Sequence, residues 1–256
     1  MKQQIKRIIG KGGANRLRSL QTSAKGFILS FGNNVECPIC EHTYSKFLNF
    51  RHRTNALCPN CRSLERHRLI HLHLRDKTDF FTKPKRILHF APEKCWHDGF
   101  RKNPLFQYET ADYMVSFMDN IGARPDHVMS IDDIKFPDNS FDVIIAIGIL
   151  LLVPDDHKAI RELYRVLKPG GYVVLEDPIR YERPDTEEFD LSTPEAKAES
   201  LRKFGHLQYR HYGMDDYKKR IESHGFRLEV DYHGKSLDAS RYGVNPYIPA
   251  KIAHKD

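Results

Sequence analysis

Residues 141–176, FDVIIAIGILLLVPDDHKAIRELYRVLKPGGYVVLE, decide the fold because they predict a strand, a helix and a second strand in succession. The run from Phe141 to Gly148 is largely apolar, which is typical of a strand buried on both faces. A helix is predicted after Asp155-Asp156, and Lys168-Pro169-Gly170-Gly171 is expected to stop it. The second strand is then predicted from Tyr172 to Glu176.

Shorter elements of the same two kinds alternate upstream of this stretch. Strands are predicted at residues 86–90, 107–111 and 127–130, and a helix is predicted from about Lys94 to Lys102. Alternation of this kind predicts an α/β protein with a doubly wound parallel sheet. Ligands bind such sheets at the carboxyl ends of the strands, so the functional residues are expected there.

Four cysteines stand in two pairs, Cys37-Pro-Ile-Cys40 and Cys58-Pro-Asn-Cys61. Each pair places two sulfurs on one tight knuckle, and residues 41–57 can fold back as a hairpin that brings the pairs together. Four thiolates fill a tetrahedral zinc shell and leave no place for water, so the spacing predicts a structural Zn²⁺ site. Two disulfides or a redox motif are the alternatives. A helix is predicted to follow, from Ser63 as a candidate N-cap to about Asp76.

The basic residues are concentrated at the N-terminus. The formal net charge is +7, and residues 1–35 contain no acid and account for the whole excess through Lys2, Lys6, Arg7, Lys11, Arg16, Arg18 and Lys25. Such an arm can bind phosphates or an anionic surface, or it can be a frayed, solvated terminus. No apolar stretch approaches the roughly 18 residues of a membrane span, and the start lacks the apolar region of a signal peptide, so the sequence predicts a cytoplasmic protein.

Two motifs carry a family resemblance. Residues 134–145, IKFPDNSFDVII, and residues 161–171, RELYRVLKPGG, resemble signatures of the class I S-adenosylmethionine-dependent methyltransferases, of the type 11 kind. Three upstream segments are similar to a bacterial subgroup that joins a four-cysteine zinc knuckle to this domain: residues 55–61, 63–68 and 88–93. The resemblance covers about residues 35–235 and implies a Rossmann-like methyltransferase sheet with a small N-terminal zinc-binding module.

The same resemblance implies a division of the chain. Residues 1–34 form the basic arm, and residues 35–82 form the zinc knuckle with a connecting helix. Residues 83–256 form the methyltransferase domain, with a lid insertion at about 177–213.

The turn after the first strand of the sheet departs from the superfamily because it contains no glycine. The resemblance implies that His89, Ala91 and Glu93 border the aminocarboxypropyl group of S-adenosylmethionine there. Glu93 either faces the cofactor's cationic groups or is an acid favoured by the helix N-terminus.

The remaining cofactor residues follow the next strands. Asp112 ends the second strand and is expected to accept hydrogen bonds from both ribose hydroxyls. Ser130 and Asp132 lie where the family meets the adenine, and Gly148 follows the fourth strand. An apolar stretch, Gly148 to Leu152, stands where the subgroup has a polar wall.

The acceptor side is assigned to residues 204–213, FGHLQYRHYG, which resemble a lid segment of the subgroup. Arg210 and Tyr212 are expected to hold the substrate. His211 is the leading candidate for a general base and His206 is the second, since a histidine can accept a proton near neutral pH.

These motifs favour S-adenosylmethionine-dependent methyl transfer to a small-molecule or glycan acceptor. One alternative is a degenerate member that binds cofactor or a partner without turnover, suggested by Ser130 and by Leu150 to Leu152. The other is a nucleic-acid methyltransferase, which would need a single basic face formed by the arm and by Arg51, Arg53, Arg62, Arg66 and Arg68. The oligomeric state is left open.

Overall fold

The computed structural model describes residues 32–113 and 124–256. Its internal contacts form two units, one of Met1–Asp76 with Tyr232–Ile248 (the N-terminal unit) and one of Lys77–Asp231 with Pro249–Asp256 (the sheet unit). The grouping of Tyr232–Ile248 with the N-terminal unit differs from the boundary predicted after residue 82. Nearly all of the predicted basic arm, residues 1–31, lies outside the described residues. Among the helices of the described ranges, none is long and apolar enough to cross a membrane.

The N-terminal unit begins with two short hairpins and a helix. Strand β1 (Val35–Glu36) pairs antiparallel with β2 (Thr43–Tyr44), and β3 (Leu48–Phe50) pairs antiparallel with β4 (Arg53–Leu57). Helix α1 (Glu65–Lys77) follows, and it starts one residue later than the predicted N-cap Ser63 would require. The apolar side chains Leu69 and Leu72 of α1 pack against Val244, so burial of apolar surface joins the two sequence segments of this unit.

The sheet unit contains the remaining strands. They are β5 (Lys85–Phe90), β6 (Phe106–Asp112), β7 (His127–Val128), β8 (Phe141–Ala146), β9 (Leu167–Leu175), β10 (Ile179–Arg180), β11 (Glu187–Glu188), β12 (Arg210–Gly213), β13 (Arg227–Asp231) and β14 (Ala250–His254). Its helices are α2 (Lys94–Lys102), α3 (Asp156–Val166), α4 (Pro194–Phe204) and α5 (Met214–Glu222). A further short helix, α6 (Ala239–Tyr242), belongs to the N-terminal unit.

Seven strands form the main sheet in the order β13-β14-β9-β8-β5-β6-β7. Strands β7, β6, β5, β8 and β9 are parallel, whereas β14 is antiparallel to both of its neighbours. The chain adds strands on one side of β5 and then, from β8 onward, on the other, so the strand order reverses between β5 and β8. The predicted doubly wound, Rossmann-like sheet is confirmed.

The centre of the core is β8, as its apolar sequence predicts. Val143, Ile144 and Ile145 are almost completely buried, which is expected for a parallel strand covered on both faces. Helix α3 packs Ile160, Leu163 and Val166 into the same core. The helix begins where predicted because the Asp155 carboxylate accepts a hydrogen bond from the Lys158 backbone N–H at 2.8 Å.

The Lys168–Gly171 segment was expected to stop the helix before a strand at Tyr172; the helix does end before it, at Val166, but the segment itself forms the irregular first part of β9. The register with β8 shifts between Phe141↔Leu167 and Val143↔Tyr172. Gly171 is required at this bulge because a Cβ atom there would lie 2.7 Å from the carbonyl oxygen of Asp142. The segment remains strand-like because Gly170 N–H and Gly171 C=O pair with the backbone of Lys255.

Candidate active site and metal centre

The carboxyl ends of the parallel strands lie at one edge of the sheet. The segments that follow β5, β6, β7, β8 and β9 therefore meet at this edge, next to the point where the strand order reverses. Topology thus brings the predicted cofactor residues to a common edge, since each lies at or just after one of these strand ends.

The turn after β5 is organised around His89, whose side chain is fully buried. Its Nε2 lies 2.7 Å from Oε2 of Glu93, and its Nδ1 lies 2.9 Å from the hydroxyl of Tyr108. Glu93 occupies the N-cap position of α2, yet its side chain does not cap the helix. The pair with His89 instead holds the Glu93 carboxylate at the turn, where it is 15% exposed.

Ala91 adopts a left-handed backbone conformation, with φ at 45°. This region favours glycine, which the superfamily usually has in this turn, and it costs a residue with a side chain some free energy. The backbone N–H of Ala91 donates to the carbonyl of Ala111 at 2.8 Å, which fixes the turn against β6.

Asp112 is the last residue of β6, where it was predicted. It is half-buried and lies in register with Val128 of β7. The residue after it, Tyr113, is 72% exposed. The position suits a carboxylate that accepts hydrogen bonds from a ligand at the sheet edge.

The segment after β7 is a turn that is stabilised by hydrogen bonds between its own residues. The hydroxyl of Ser130 donates to the Asp132 carboxylate, and the backbone N–H of Asp133 donates to the Ser130 carbonyl at 3.1 Å. Lys158 Nζ lies 4.0 Å from Asp132. Both Ser130 and Asp132 remain partly exposed, so the turn can still offer polar atoms to a ligand.

The segment after β8 is the apolar stretch noted in the sequence. Gly148 has φ at 67°, and residues 150–152 form one turn of 3₁₀ helix. Leu150 and Leu151 are buried in the core, whereas Leu152 is 37% exposed. The stretch is therefore mainly a packing element, with one apolar side chain toward solvent.

Arg210, predicted to hold the substrate, instead fixes this segment. Its guanidinium donates to the carbonyls of Leu150 and Val153 at 2.8 Å and to that of Pro154 at 2.7 Å. Its Nε donates to Glu188 at 3.0 Å, and the side chain is 3% exposed. All of its nitrogens thus have protein partners, and we interpret Arg210 as a clamp on residues 150–154 rather than as a direct substrate ligand.

Tyr212, the other predicted substrate residue, is also buried. Its hydroxyl donates to Asp156 at 2.7 Å. Burial, and then the carboxylates of Asp177 and Asp156, raise the pKa of Tyr212 well above its usual value. The group is therefore a hydrogen-bond donor that orients Asp156, not a proton acceptor.

Asp177 follows β9 and is completely buried. It accepts hydrogen bonds from the Leu151 backbone N–H at 3.4 Å and from the Tyr217 hydroxyl at 3.2 Å. Burial raises the pKa of Asp177 to about 7, because these two long hydrogen bonds compensate little of the lost hydration. The segment after β9 was expected to supply groups on the acceptor side, but the burial of Asp177 and its contact with Tyr217 could not be predicted from the sequence.

The two predicted base candidates lie in the predicted lid segment, where β12 is the central strand between β10 and β11. The ring of His211 packs edge-to-face against Phe189 at 4.8 Å and Phe204 at 5.4 Å. Burial, and then the charge of Arg180, lower the pKa of His211. His206 Nε2 lies 3.3 Å from the side-chain oxygen of Gln208.

The four paired cysteines converge in the N-terminal unit. Their sulfurs all lie within 4.8 Å of one another. The Cys37–Cys61 sulfur distance is 3.5 Å and the Cys40–Cys58 distance is 3.6 Å. Zinc bonded to four sulfurs at about 2.3 Å requires sulfur–sulfur edges of about 3.8 Å, so the cluster fits a tetrahedral Zn²⁺ centre.

The two knuckles have the same backbone geometry. Glu41 N–H donates to the Cys37 carbonyl at 2.8 Å, and Arg62 N–H donates to the Cys58 carbonyl at 3.1 Å. Glu41 and Arg62 both adopt left-handed backbone conformations. Ser63, the expected N-cap, is fully buried, and its hydroxyl lies 3.3 Å from the sulfurs of Cys37 and Cys61. It is placed to donate a hydrogen bond to a thiolate instead.

Arg68 links the cysteine region to the second segment of the N-terminal unit. Its guanidinium donates to the carbonyls of Ser63, Tyr242 and Gly243, and it lies 4.1 Å from the ring of Phe47. The side chain is fully buried. Gly243 is required, because a Cβ atom there would lie 2.6 Å from Phe47.

Comparison with known proteins agrees with this geometry. Residues 97–175, which run from α2 through β9, match the family described as "Methyltransferase domain". The match covers the central strands of the Rossmann-like sheet, so this part of the chain is similar to a methyltransferase domain.

Individual relatives match shorter stretches. The ubiquinone/menaquinone biosynthesis C-methyltransferase UbiE of Pseudoalteromonas translucida is 45% identical over 60 residues, or 23% of this chain and 22% of that protein. The 27-O-demethylrifamycin SV methyltransferase of Amycolatopsis mediterranei is 32% identical over 110 residues, or 43% of this chain and 36% of that protein. The chain thus spans about a fifth to a third of these relatives.

Among solved structures, the complex between the Haloferax volcanii Trm112 methyltransferase activator and a methyltransferase contains a similar chain. The TM-score is 0.47 and the identity is 13%, over 74% of this chain and 94% of that chain.

Proposed function

We propose that this protein transfers a methyl group from S-adenosylmethionine to a small-molecule or glycan acceptor. The observation that carries the proposal is that the segment matching the methyltransferase domain includes β6 and its terminal Asp112, at the sheet edge where ligands of doubly wound folds bind. The two relatives described above are named for the methylation of small molecules, which supports that class of acceptor.

The residues at the edge fit the cofactor. The half-buried Asp112 would accept the ribose hydroxyls, and the turn at Ala91 and Glu93 would face the aminocarboxypropyl group. His89 would orient the Glu93 carboxylate through their 2.7 Å contact. Ser130, Asp132 and Gly148 would complete the site, because they follow β7 and β8 at the same edge.

The bound sulfonium would supply an activated methyl group, so the protein has to align the acceptor, exclude water and accept a proton where the acceptor carries one. We propose His211 as the proton acceptor in preference to His206. The lowered pKa of His211 favours the neutral imidazole that can accept a proton, and the residue is partly exposed. Arg210 and Tyr212 would act by holding residues 150–154 and Asp156 in place.

Two alternatives are less well supported. The nucleic-acid alternative needs five arginines on one basic face, but Arg68 is fully buried and Arg53 pairs with Glu65 at 2.9 Å. The degenerate alternative rested on Ser130 and on the apolar segment after β8; Ser130 is partly exposed, and the segment is a packing element held by Arg210. Its apolar character does not remove the edge at which the cofactor would bind.

Calorimetric titration with S-adenosylmethionine tests the proposal. We expect Asp112→Ala to weaken binding about tenfold or more, because hydrogen bonds to a charged group contribute roughly 1.5–3 kcal/mol. Asp138→Ala is the matched control, since Asp138 precedes β8 at the opposite edge and pairs with Arg165. The proposal fails if the wild-type protein does not bind the cofactor, or if both variants bind it as the wild type does.

A further inference from the structure

The N-terminal unit contains a groove of its own, with a volume of about 440 Å³. One wall is formed by β4 and the start of α1, through Thr54, Asn55 and Glu65. The other wall is the segment from Ala239 to Tyr247. Both walls belong to the same unit, so the groove is formed within a single packed body.

An aromatic ring stands at the rim of this groove. Tyr247 is 77% exposed, the highest value among the large apolar and aromatic side chains of the described residues. Its backbone is fixed, because the side-chain oxygen of Asn245 accepts the Tyr247 N–H at 3.0 Å. An exposed ring on a fixed backbone costs free energy in water and offers a flat apolar face to a ligand.

The groove also presents polar side chains that are open to water. Thr54, Ser240 and Asn245 are exposed, and their hydroxyl and NH₂ groups make no hydrogen bond to another described residue. Together with Asn55 they offer donors and acceptors on the two walls. A ligand that carries several hydroxyl groups would satisfy both kinds.

The charge of the lining argues against two other classes of ligand. Lys and Arg are absent from the described lining, and its one ionised side chain is the carboxylate of Glu65, so a phosphate-rich ligand is disfavoured. An apolar ligand would leave the hydroxyl and amide groups without water and without partners.

We propose that this groove binds a neutral saccharide, with one sugar ring stacked on Tyr247 and its hydroxyls bonded to the side chains of Thr54, Ser240 and Asn245. The site goes beyond methyl transfer: it would hold a sugar whether or not the sheet unit turns over a substrate. Failure of the cofactor titration therefore leaves this proposal standing, and the reverse also holds.

Saturation-transfer NMR on the full, zinc-loaded chain tests the proposal. The probes are the methyl glycosides of glucose, galactose, mannose and N-acetylglucosamine at millimolar concentrations. We expect at least one probe to bind, and Tyr247→Ala to weaken that binding about tenfold or more, which corresponds to about 1.4 kcal/mol. Tyr232→Ala is the matched control, because Tyr232 is a 40% exposed tyrosine of the same unit that does not line the groove.

A second pair of variants distinguishes the loss of a direct sugar contact from a distortion of the loop between Asn245 and Tyr247. Asn245→Asp keeps the oxygen that accepts the Tyr247 N–H but removes the free NH₂ group, whereas Asn245→Ala removes both. Weaker sugar binding in both variants, with unchanged thermal unfolding of Asn245→Asp, supports a direct contact. The proposal is overturned if no glycoside binds, if Tyr247→Ala and Tyr232→Ala behave alike, or if an oligothymidylate binds through Tyr247 and the glycosides do not.

Discussion

At the scale of single residues, the buried Asp177 makes the clearest prediction. The pKa of this carboxyl is about 7 in the folded protein, against the ordinary 3.8 expected in the unfolded chain. Between these values the folded state binds more protons than the unfolded state, so the contribution of Asp177 to stability falls as the pH rises. The full destabilisation from burying the ionised Asp177 carboxylate is present above pH 7, and it is absent below about pH 4.

Asp177→Asn should therefore gain stability relative to the wild type as the pH rises from about 4 to 7, by up to roughly 1.4 kcal/mol per pH unit. The measurement is urea unfolding at a series of pH values. Asp190→Asn is the control, because Asp190 is exposed and its pKa is lowered by hydrogen bonds to Ser192. A difference in unfolding free energy between Asp177→Asn and the wild type that does not change with pH would contradict the raised pKa of Asp177.

Arg210 gives a second prediction at this scale. Removing the buried guanidinium leaves three carbonyls without their donor and removes one of the cations beside the buried Asp156, so Arg210→Ala should cost roughly 3–5 kcal/mol of unfolding free energy. Arg180→Ala, in the same lid, removes an ion pair with Glu187 that is open to water and should cost at most about 1 kcal/mol. Equal losses in chemical denaturation would show that Arg210 is not a clamp.

The sequence could locate Arg210 and Tyr212 but not assign their roles. Both were found as part of a lid motif, and residue type alone favoured contact with a substrate. Their burial depends on partners about sixty residues earlier in the chain, at Leu150 and Asp156, and no local pattern reveals such contacts. Asp112 was easier to place, because the end of a predicted strand fixes the edge on which it lies.

At the scale of elements, the lid places His211 between two phenylalanine rings, and burial lowers its pKa below the ordinary 6.5. An NMR titration of the His211 ring should give a midpoint below that value. If His211 is the base, the rate with an identified acceptor should rise with pH below 6.5 and be level by about pH 7. His211→Gln should lose that rise and His206→Gln should keep it. A ring that titrates above 6.5 would refute this account.

The two cysteine knuckles make a prediction about metal. The purified protein should contain one zinc per chain, and Cys58→Ser or chelation should increase hydrogen exchange at residues 35–76, because metal binding contributes directly to folding free energy. The sheet unit has its own core and should keep its exchange protection. Cys95→Ser is the control and should retain the metal. A zinc content of zero or two per chain would be incompatible with the four-sulfur site.

Sequence patterns were sufficient to place the boundaries of several helices and strands. The helix predicted at Lys94 to Lys102 has those bounds, and β5, β6 and β8 lie within about two residues of their predictions. The Lys168–Gly171 segment follows the end of the helix as predicted, but β9 starts five residues before the predicted Tyr172. This earlier start was not predicted because Pro and Gly usually end regular structure. Pairing with Lys255, far along the chain, overrides that local preference.

At the scale of the whole molecule, the parallel sheet could be predicted because it follows from the alternation of strands and helices. The set of chain segments that form the N-terminal unit could not be predicted. Its segment from Tyr232 to Ile248 has no cysteine motif and was assigned to the methyltransferase domain. It joins the N-terminal unit through burial of Val244 and through hydrogen bonds from Arg68, which are contacts that only the folded chain reveals.

The discontinuity of the N-terminal unit has a consequence for its synthesis on the ribosome. All four cysteines emerge early, but the carbonyls of Tyr242 and Gly243 that receive the Arg68 guanidinium are made 174 and 175 residues later. During translation the Arg68 guanidinium therefore lacks these two carbonyl partners until nearly the entire sheet unit has been made. The N-terminal unit is therefore completed only after most of the sheet unit has been synthesised.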